Sequence, residues 1–372
     1  MRIKRLLKIL FVVVFINVMA AGCWDALDIN DRNIITAVLV DKTDYGIAFY
    51  VEIPPFSISK GGESSQVNRP YIMKSEGRDY VEARRNLDRA MDRPIFLGAV
   101  QTVLLTDRLA SFDIEEYMNR LREINEYRKT AHVVVTTEDP EILLSDVPEN
   151  SASVGFAIDA TLTSLVDNGQ LMHVSLVDIL NILSSPYKHY ILPNIALIDE
   201  EPAVTGFTVF SGGMKTGFMP AADGDSIVFM QSPDANKLYT VPYGDTHATV
   251  EVQLAQKKVK PYFMDGKISF DINLTFEAVL LYPEKGKPVT DADERIISST
   301  LQAMLDQEFK ETFRKSQETY RYDCYMLHEP FRIAYPDEYK KMDWASEYQN
   351  TTANINIAVD LTVTNMLDYN AE

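Results

Sequence analysis

The sequence predicts an α+β protein of more than one domain, with mostly antiparallel or mixed β-sheets each packed with helices. Three observations carry this. ISFDINLTFEAVL alternates strictly, placing Ile268, Phe270, Ile272, Leu274, Phe276 and Ala278 on one face, the period of a strand with one buried and one wet side. Residues 290–313 repeat apolar side chains at helical spacing (Ile297, Leu301, Met304, Leu305, Phe309), so one long helix belongs in the C-terminal half. Between residues 33 and 145, strand-like and helix-like stretches alternate, the order of a sheet covered by helices.

Taken in order, residues 33–42 and 45–53 read as two strands joined by Thr43-Asp44, a turn short enough for a hairpin. Residues 57–70 are polar, glycine-bearing and without period, an exposed loop or loosely paired hairpin. A helix follows over 78–91, with Tyr80, Ala83, Leu87, Ala90 and Met91 on one face, stopped by Pro94. GAVQTVLLTD (98–107) is a buried strand, and 111–127 a helix with Ser111 as its N-cap. Residues 131–137 form a strand, 140–145 a short helix, and 153–183 a helical stretch interrupted near Gly169. After Pro186 and Pro193 the style changes. Two strands flank the glycine turn Ser211-Gly212-Gly213, and further strands are expected at 237–241, 246–256 and 267–281. Thr290 with Asp293 forms a capping box ahead of the long helix. The alternating strand 353–365 is expected to pair with the strand before that helix, closing a meander. The expected divisions are a leader over 1–22, an N-terminal domain over 23–201 and a C-terminal domain from Pro202 to the end.

The leader has its own physical signature. Arg2, Lys4, Arg5 and Lys8 precede an apolar run ending in Ala20, Ala21 and Gly22, just before Cys23. A basic start, a short apolar stretch and small residues are the parts of a secretory signal, and the run falls short of the roughly 20 residues of a membrane span. The placement of Cys23 resembles a bacterial lipobox, with Ala20 standing where Leu or Val is usual; Cys23 would become the lipidated first residue. With Cys23 acylated, Cys324 is alone and no intrachain disulfide can form. Cleavage leaves 32 basic against 54 acidic side chains, a net charge of about −22. Such a surface repels nucleic acid and anionic lipid, so attachment falls to the lipid.

No catalytic constellation is visible. The histidines at 132, 173, 189, 247 and 328 have no ligand-like neighbour at helical or turn spacing, and there is no Gly-x-Ser-x-Gly elbow or phosphate-binding glycine loop. Catalytic residues, cofactors and metals are therefore expected to be none, and Cys324 a buried structural thiol. The aromatic segment 320–344 stands out. Rings with a polar handle suit interfaces as well as cores. Trp344 and Tyr339 are the candidate partner-binding residues, with Phe331 and Tyr335 assigned to the core.

In its ordered motifs the whole chain resembles the Ger(x)C family of spore germination lipoproteins. The start is Cys23-Trp24-Asp25, followed by a strand ending in Asp41-Lys42. EGRDYVEARRNLDRAMDRPIFLGAVQTVLLTDRLA resembles the family's Glu-Ala-x-Arg helix, glycine and apolar strand, with Gly98-Ala99 where Gly-His is frequent. Gly206, Val209, Phe210, Lys215 and Gly217 are similar to its second half, and Asp323, Pro336, Tyr339, Trp344 and a last alternating strand to its end, although Asn365-Met366 replaces a closing glycine. The resemblance implies a mixed α/β, non-enzymatic C subunit of a nutrient germinant receptor. It would be lipid-anchored on the outer face of the cell membrane and the spore inner membrane, beside the A and B subunits. The alternative is an extracytoplasmic solute-binding lipoprotein of a transporter, which would show two lobes of parallel strands. An envelope hydrolase would need a reactive site that the sequence does not display.

Overall fold

The computed structural model describes residues 29–55, 69–123, 126–283 and 289–363. Cys23, and the expected loop up to residue 68, lie outside the described residues. The chain enters through β1 (Asn33–Ile34) and β2 (Ala37–Lys42). β2 forms the expected antiparallel hairpin with β3 (Ile47–Ile53), which pairs with β4 (Tyr71–Gly77). β4 is an addition to the sequence reading, because YIMKSEG shows no clean alternation. Helix α1 (Tyr80–Ala90) starts at Asp79, whose carboxylate accepts the Glu82 N–H at 2.8 Å. β5 (Ile95–Phe96) lies parallel to β1, and β6 (Thr102–Thr106) starts later than expected.

The single helix expected over 111–127 is corrected to two, α2 (Asp107–Phe112) and α3 (Glu115–Glu123). Ser111 lies inside the end of α2 and is no N-cap. β6 turns directly into the helix, so the Thr106 hydroxyl takes that role, accepting the Leu109 N–H at 3.2 Å. Between the two helices Asp113 accepts the Glu115 N–H at 2.7 Å. β7 (His132–Thr136), α4 (Pro140–Ser145), α5 (Val154–Asp167) and α6 (Leu176–Leu183) follow, then β8 (His189–Ile198), β9 (Glu201–Ser211) and β10 (Met214–Pro220).

These strands build one eight-stranded mixed sheet in the order β10-β9-β8-β7-β6-β2-β3-β4. β2, β6 and β7 are parallel and buried on both faces, hence their continuous runs AVLV, TVLLT and HVVVT. Leu87, Leu109, Tyr117 and Ile179 cover one face, from α1, α2, α3 and α6; Leu143, Val154 and Ile158, from α4 and α5, cover the other. Glu52 ties the second layer to the sheet. Fully buried, it accepts the Val154 N–H at 2.6 Å, the Gly155 N–H at 3.0 Å and the Thr36 hydroxyl at 2.9 Å. The carboxylate thus meets the positive end of α5, although burial holds its pKa above the ordinary value. Position 155 needs glycine here, since a Cβ would sit 2.7 Å from the Thr36 carbonyl oxygen.

The second sheet follows helix α7 (Asp225–Gln231). Strands β11 (Asn236–Tyr243), β12 (Thr246–Met264) and β13 (Lys267–Pro283) pair antiparallel. β12 runs well beyond its expected end at residue 256, and Asp265-Gly266, both at positive φ (51° and 74°), makes the tight turn into β13. Helix α8 (Asp291–Glu318) is the expected long helix. Thr290 and Asp293 cap it reciprocally: the Thr290 N–H donates to Asp293 Oδ2 at 3.0 Å and Thr290 Oγ accepts the Asp293 N–H at 3.3 Å. Short helices α9 (His328–Ala334), α10 (Pro336–Tyr339) and α11 (Trp344–Tyr348) lead to β14 (Thr352–Val363). β14 joins β13 as expected, but parallel to it. The meander is corrected on this point, because α8 carries the chain back along the sheet and makes a crossover.

Sheet membership runs through Pro202, since β9 and β10 belong to the large sheet. One apolar cluster also joins the halves, from Ile191, Phe207 and Val209 to Phe229, Phe276 and Phe309.

Candidate functional site

The aromatic segment folds around one carboxylate. Asp323 is fully buried and accepts the Leu327 N–H at 2.9 Å, the His328 N–H at 2.7 Å and the Trp344 indole N–H at 3.0 Å. His328 Nδ1 lies 3.2 Å from the same carboxylate, and the Asp323 N–H donates to the Tyr187 hydroxyl at 3.1 Å. Two non-glycine residues at positive φ, Arg321 (50°) and Met326 (56°), bracket the turn. A conformation that side chains avoid persists where the surroundings over-determine it, and here Asp323 collects the donors that do so.

Trp344 is only 3 % exposed, its ring 5.2 Å from that of Phe331. The expectation that it faces a partner is corrected: its N–H is taken by Asp323 and its ring by the core. Phe331 is fully buried, as assigned. Tyr335 is half-buried, and so is Tyr339, which stays within reach of the surface. Cys324 is buried and free, and burial pushes its thiol pKa well up, the behaviour of a core side chain.

Between this segment and the large sheet runs a cleft in two adjacent lobes of about 630 and 700 Å³. Pro186, Tyr187, His189, Arg332 and Tyr339 line both lobes. The wall between them is a ring stack: Tyr187 lies parallel to His189 at 4.7 Å, and His328 packs on Tyr187 at 4.5 Å. Burial lowers the pKa of His189, keeping its imidazole neutral at pH 7. Its Nε2 lies 3.2 Å from Ser211 Oγ; among the described residues no carboxylate bonds the other ring nitrogen, as activation of a serine would require. Nor do three His, Cys, Asp or Glu side chains gather anywhere among the described residues as metal ligands. The arrangement can hold a flat group against rings and a charged group near Arg332.

Sequence reasoning singled out Tyr339 and Trp344 but missed Tyr187, His189 and His328. The Tyr187–Asp323 bond spans 136 residues of chain, and no local spacing signals it.

Comparison with known proteins yields two matches in register along the chain. Residues 25–197 match the family described as spore germination protein N-terminal domain, and residues 205–366 the family described as spore germination B3/GerAC like, C-terminal. Spore germination protein KC of Bacillus subtilis (strain 168) is 21 % identical over 368 residues, covering 88 % of each chain. Spore germination protein B3 of the same organism is 19 % identical, covering 94 % of this chain and 96 % of the relative. The crystal structure of the GerBC protein superposes with a TM-score of 0.59 at 13 % identity, covering 87 % of this chain and 96 % of that one. That likeness shows a shared fold.

Proposed function

Because the chain belongs to the GerAC-like family of spore germination proteins, we propose that it is the C subunit of a germinant receptor, needed for the nutrient response that starts spore germination. The observation that carries this reading is the pair of family matches, which in order account for nearly the whole chain. Those matches favour it over a solute-capturing lipoprotein, as do curated relatives that are themselves spore germination proteins. Its role is non-enzymatic. Acyl chains on Cys23 hold it at the outer face of the cell membrane and the spore inner membrane, where it assembles with membrane-embedded A and B subunits. No helix among the described residues is long and apolar enough to cross a membrane. Tyr339, half-buried in the same segment as the 75 %-exposed Ile333, contributes to the contact with those subunits. The division near Pro202 is one between two sequence modules, which fold onto a common core.

Replacing Cys23 with Ala in a sporulating host tests the anchor and the role together. The expected result is release of the chain from the inner-membrane fraction and slower nutrient-triggered germination. A variant that stays membrane-bound with normal germination would contradict anchoring at Cys23.

A further inference from the structure

We propose that the two-lobed cleft binds a small organic anion with a flat or apolar body, its acid group held by Arg332 and its body lying along the Tyr187–His189–His328 stack. Each lobe has the volume of a small-molecule site. The rings are fixed before any ligand arrives, through the Tyr187 hydroxyl to the Asp323 N–H (3.1 Å), through His328 to the Asp323 carboxylate (3.2 Å), and through His189 to Ser211 (3.2 Å). Preorganised rings cost little to engage.

Charge decides the class of ligand. The chain carries 54 acidic against 36 basic side chains, so a lobe lined by more basic than acidic side chains runs against the charge of the whole. Among the described residues Arg332 makes neither an ion pair nor a hydrogen bond, though it lines both lobes. The lobe it shares with Trp344 is lined by Lys188 and Lys340 as well, against one acid, Asp343. Lys188 is engaged by Glu115 at 2.8 Å and Lys340 reaches Asp337 at 3.9 Å, so Arg332 is the free donor. A guanidinium meets a carboxylate or phosphate through two parallel hydrogen bonds. The other lobe carries Asp178 and Glu329, but its floor is apolar, with Met172, Ile182, Ile191 and Met326; it suits the body of the ligand, not its charge. This inference goes beyond the germination reading and does not depend on it.

The test is equilibrium dialysis of 2-naphthoate against the full-length chain in lipid discs, corrected with empty discs. The neutral isostere 2-naphthalenemethanol and the variant Arg332→Gln run in parallel. Arg332 is exposed and unpaired, so the variant folds. One saturable site is expected, at least tenfold weaker for Arg332→Gln and at least tenfold weaker for the alcohol, whose binding the substitution leaves alone. Absence of saturable binding, equal binding of naphthoate by the variant, or equal binding of acid and alcohol by the unaltered chain would overturn the proposal. None of these outcomes bears on whether spores lacking the chain germinate.

Discussion

Removing the Asp323 carboxylate leaves the Leu327 and His328 N–H groups and the Trp344 indole N–H without an acceptor in the core. Asp323→Ala is therefore expected to cost more than about 3 kcal/mol, whereas Trp344→Phe, which keeps a ring and loses one charge-assisted bond, costs about 1–3 kcal/mol. Urea unfolding followed by tyrosine fluorescence measures both, and equal losses would mean that the Leu327 and His328 N–H groups gain nothing from the carboxylate beyond its bond to Trp344. Glu308 gives the molecule a pH dependence. Its Oε1 is buried without a partner, and burial, with the nearby Asp225 adding to it, raises its pKa to about 7 against the opposing pull of the Tyr239 hydroxyl it accepts at 2.9 Å and of Lys237. A carboxyl raised in the folded state favours folding while protonated. Its stabilisation is complete below the unfolded value near 4.5 and is lost as pH climbs through about 7. Stability is expected to fall by up to about 3 kcal/mol between pH 5 and 8, and Glu308→Gln should flatten that slope. A slope unchanged in the variant would assign it to other groups. At this scale the sequence showed which residues were unusual, Asp323 and Trp344 among them, but not what they touch: their contact spans 21 residues, and Trp344 reads equally well as surface or core until the acceptor is found.

The long helix α8 was legible almost completely, because its cap, its seam and its length all point one way. Ile297, Leu301, Leu305 and Phe309 are fully buried on the second sheet, and the capping box forms as its residues suggest. Thr290→Ala removes a solvent-facing cap and should cost about 1 kcal/mol. Phe309→Ala opens a cavity among Phe229, Phe276 and Tyr325 and should cost about 3–5 kcal/mol. Thermal melts at fixed pH compare the two, and a larger loss from the cap than from the core would contradict the packing described above. β13 was legible for the same reason as α8, its strict alternation. The direction of β14 was not, since alternation records which face is buried and is silent on whether a neighbour runs parallel. The break between α2 and α3 was hidden because Ala110, before Asp113, continues the helical period of Ile114, Tyr117, Met118 and Leu121 after it, while the Asp113 side chain closes a local bond that restarts the helix.

At the scale of the whole molecule, two sheets share one apolar core, so the halves matched by separate families are not separate in packing. The sequence showed the change of style near Pro202, because a β-rich meander looks different from alternating strands and helices. It could not show that β9 and β10 return to the large sheet, since that depends on pairing with β8. The cleft lies where the large sheet meets the segment that follows α8, and it exists only once both halves have folded. The role of this chain in germination is open to direct test. The measurement that tests it most directly is the nutrient-triggered loss of optical density by spores lacking this chain and its paralogues, with and without the chain restored. At least one nutrient response is expected to be lost in the deletion and regained on restoration. Every nutrient response unchanged in the multiple deletion would contradict it.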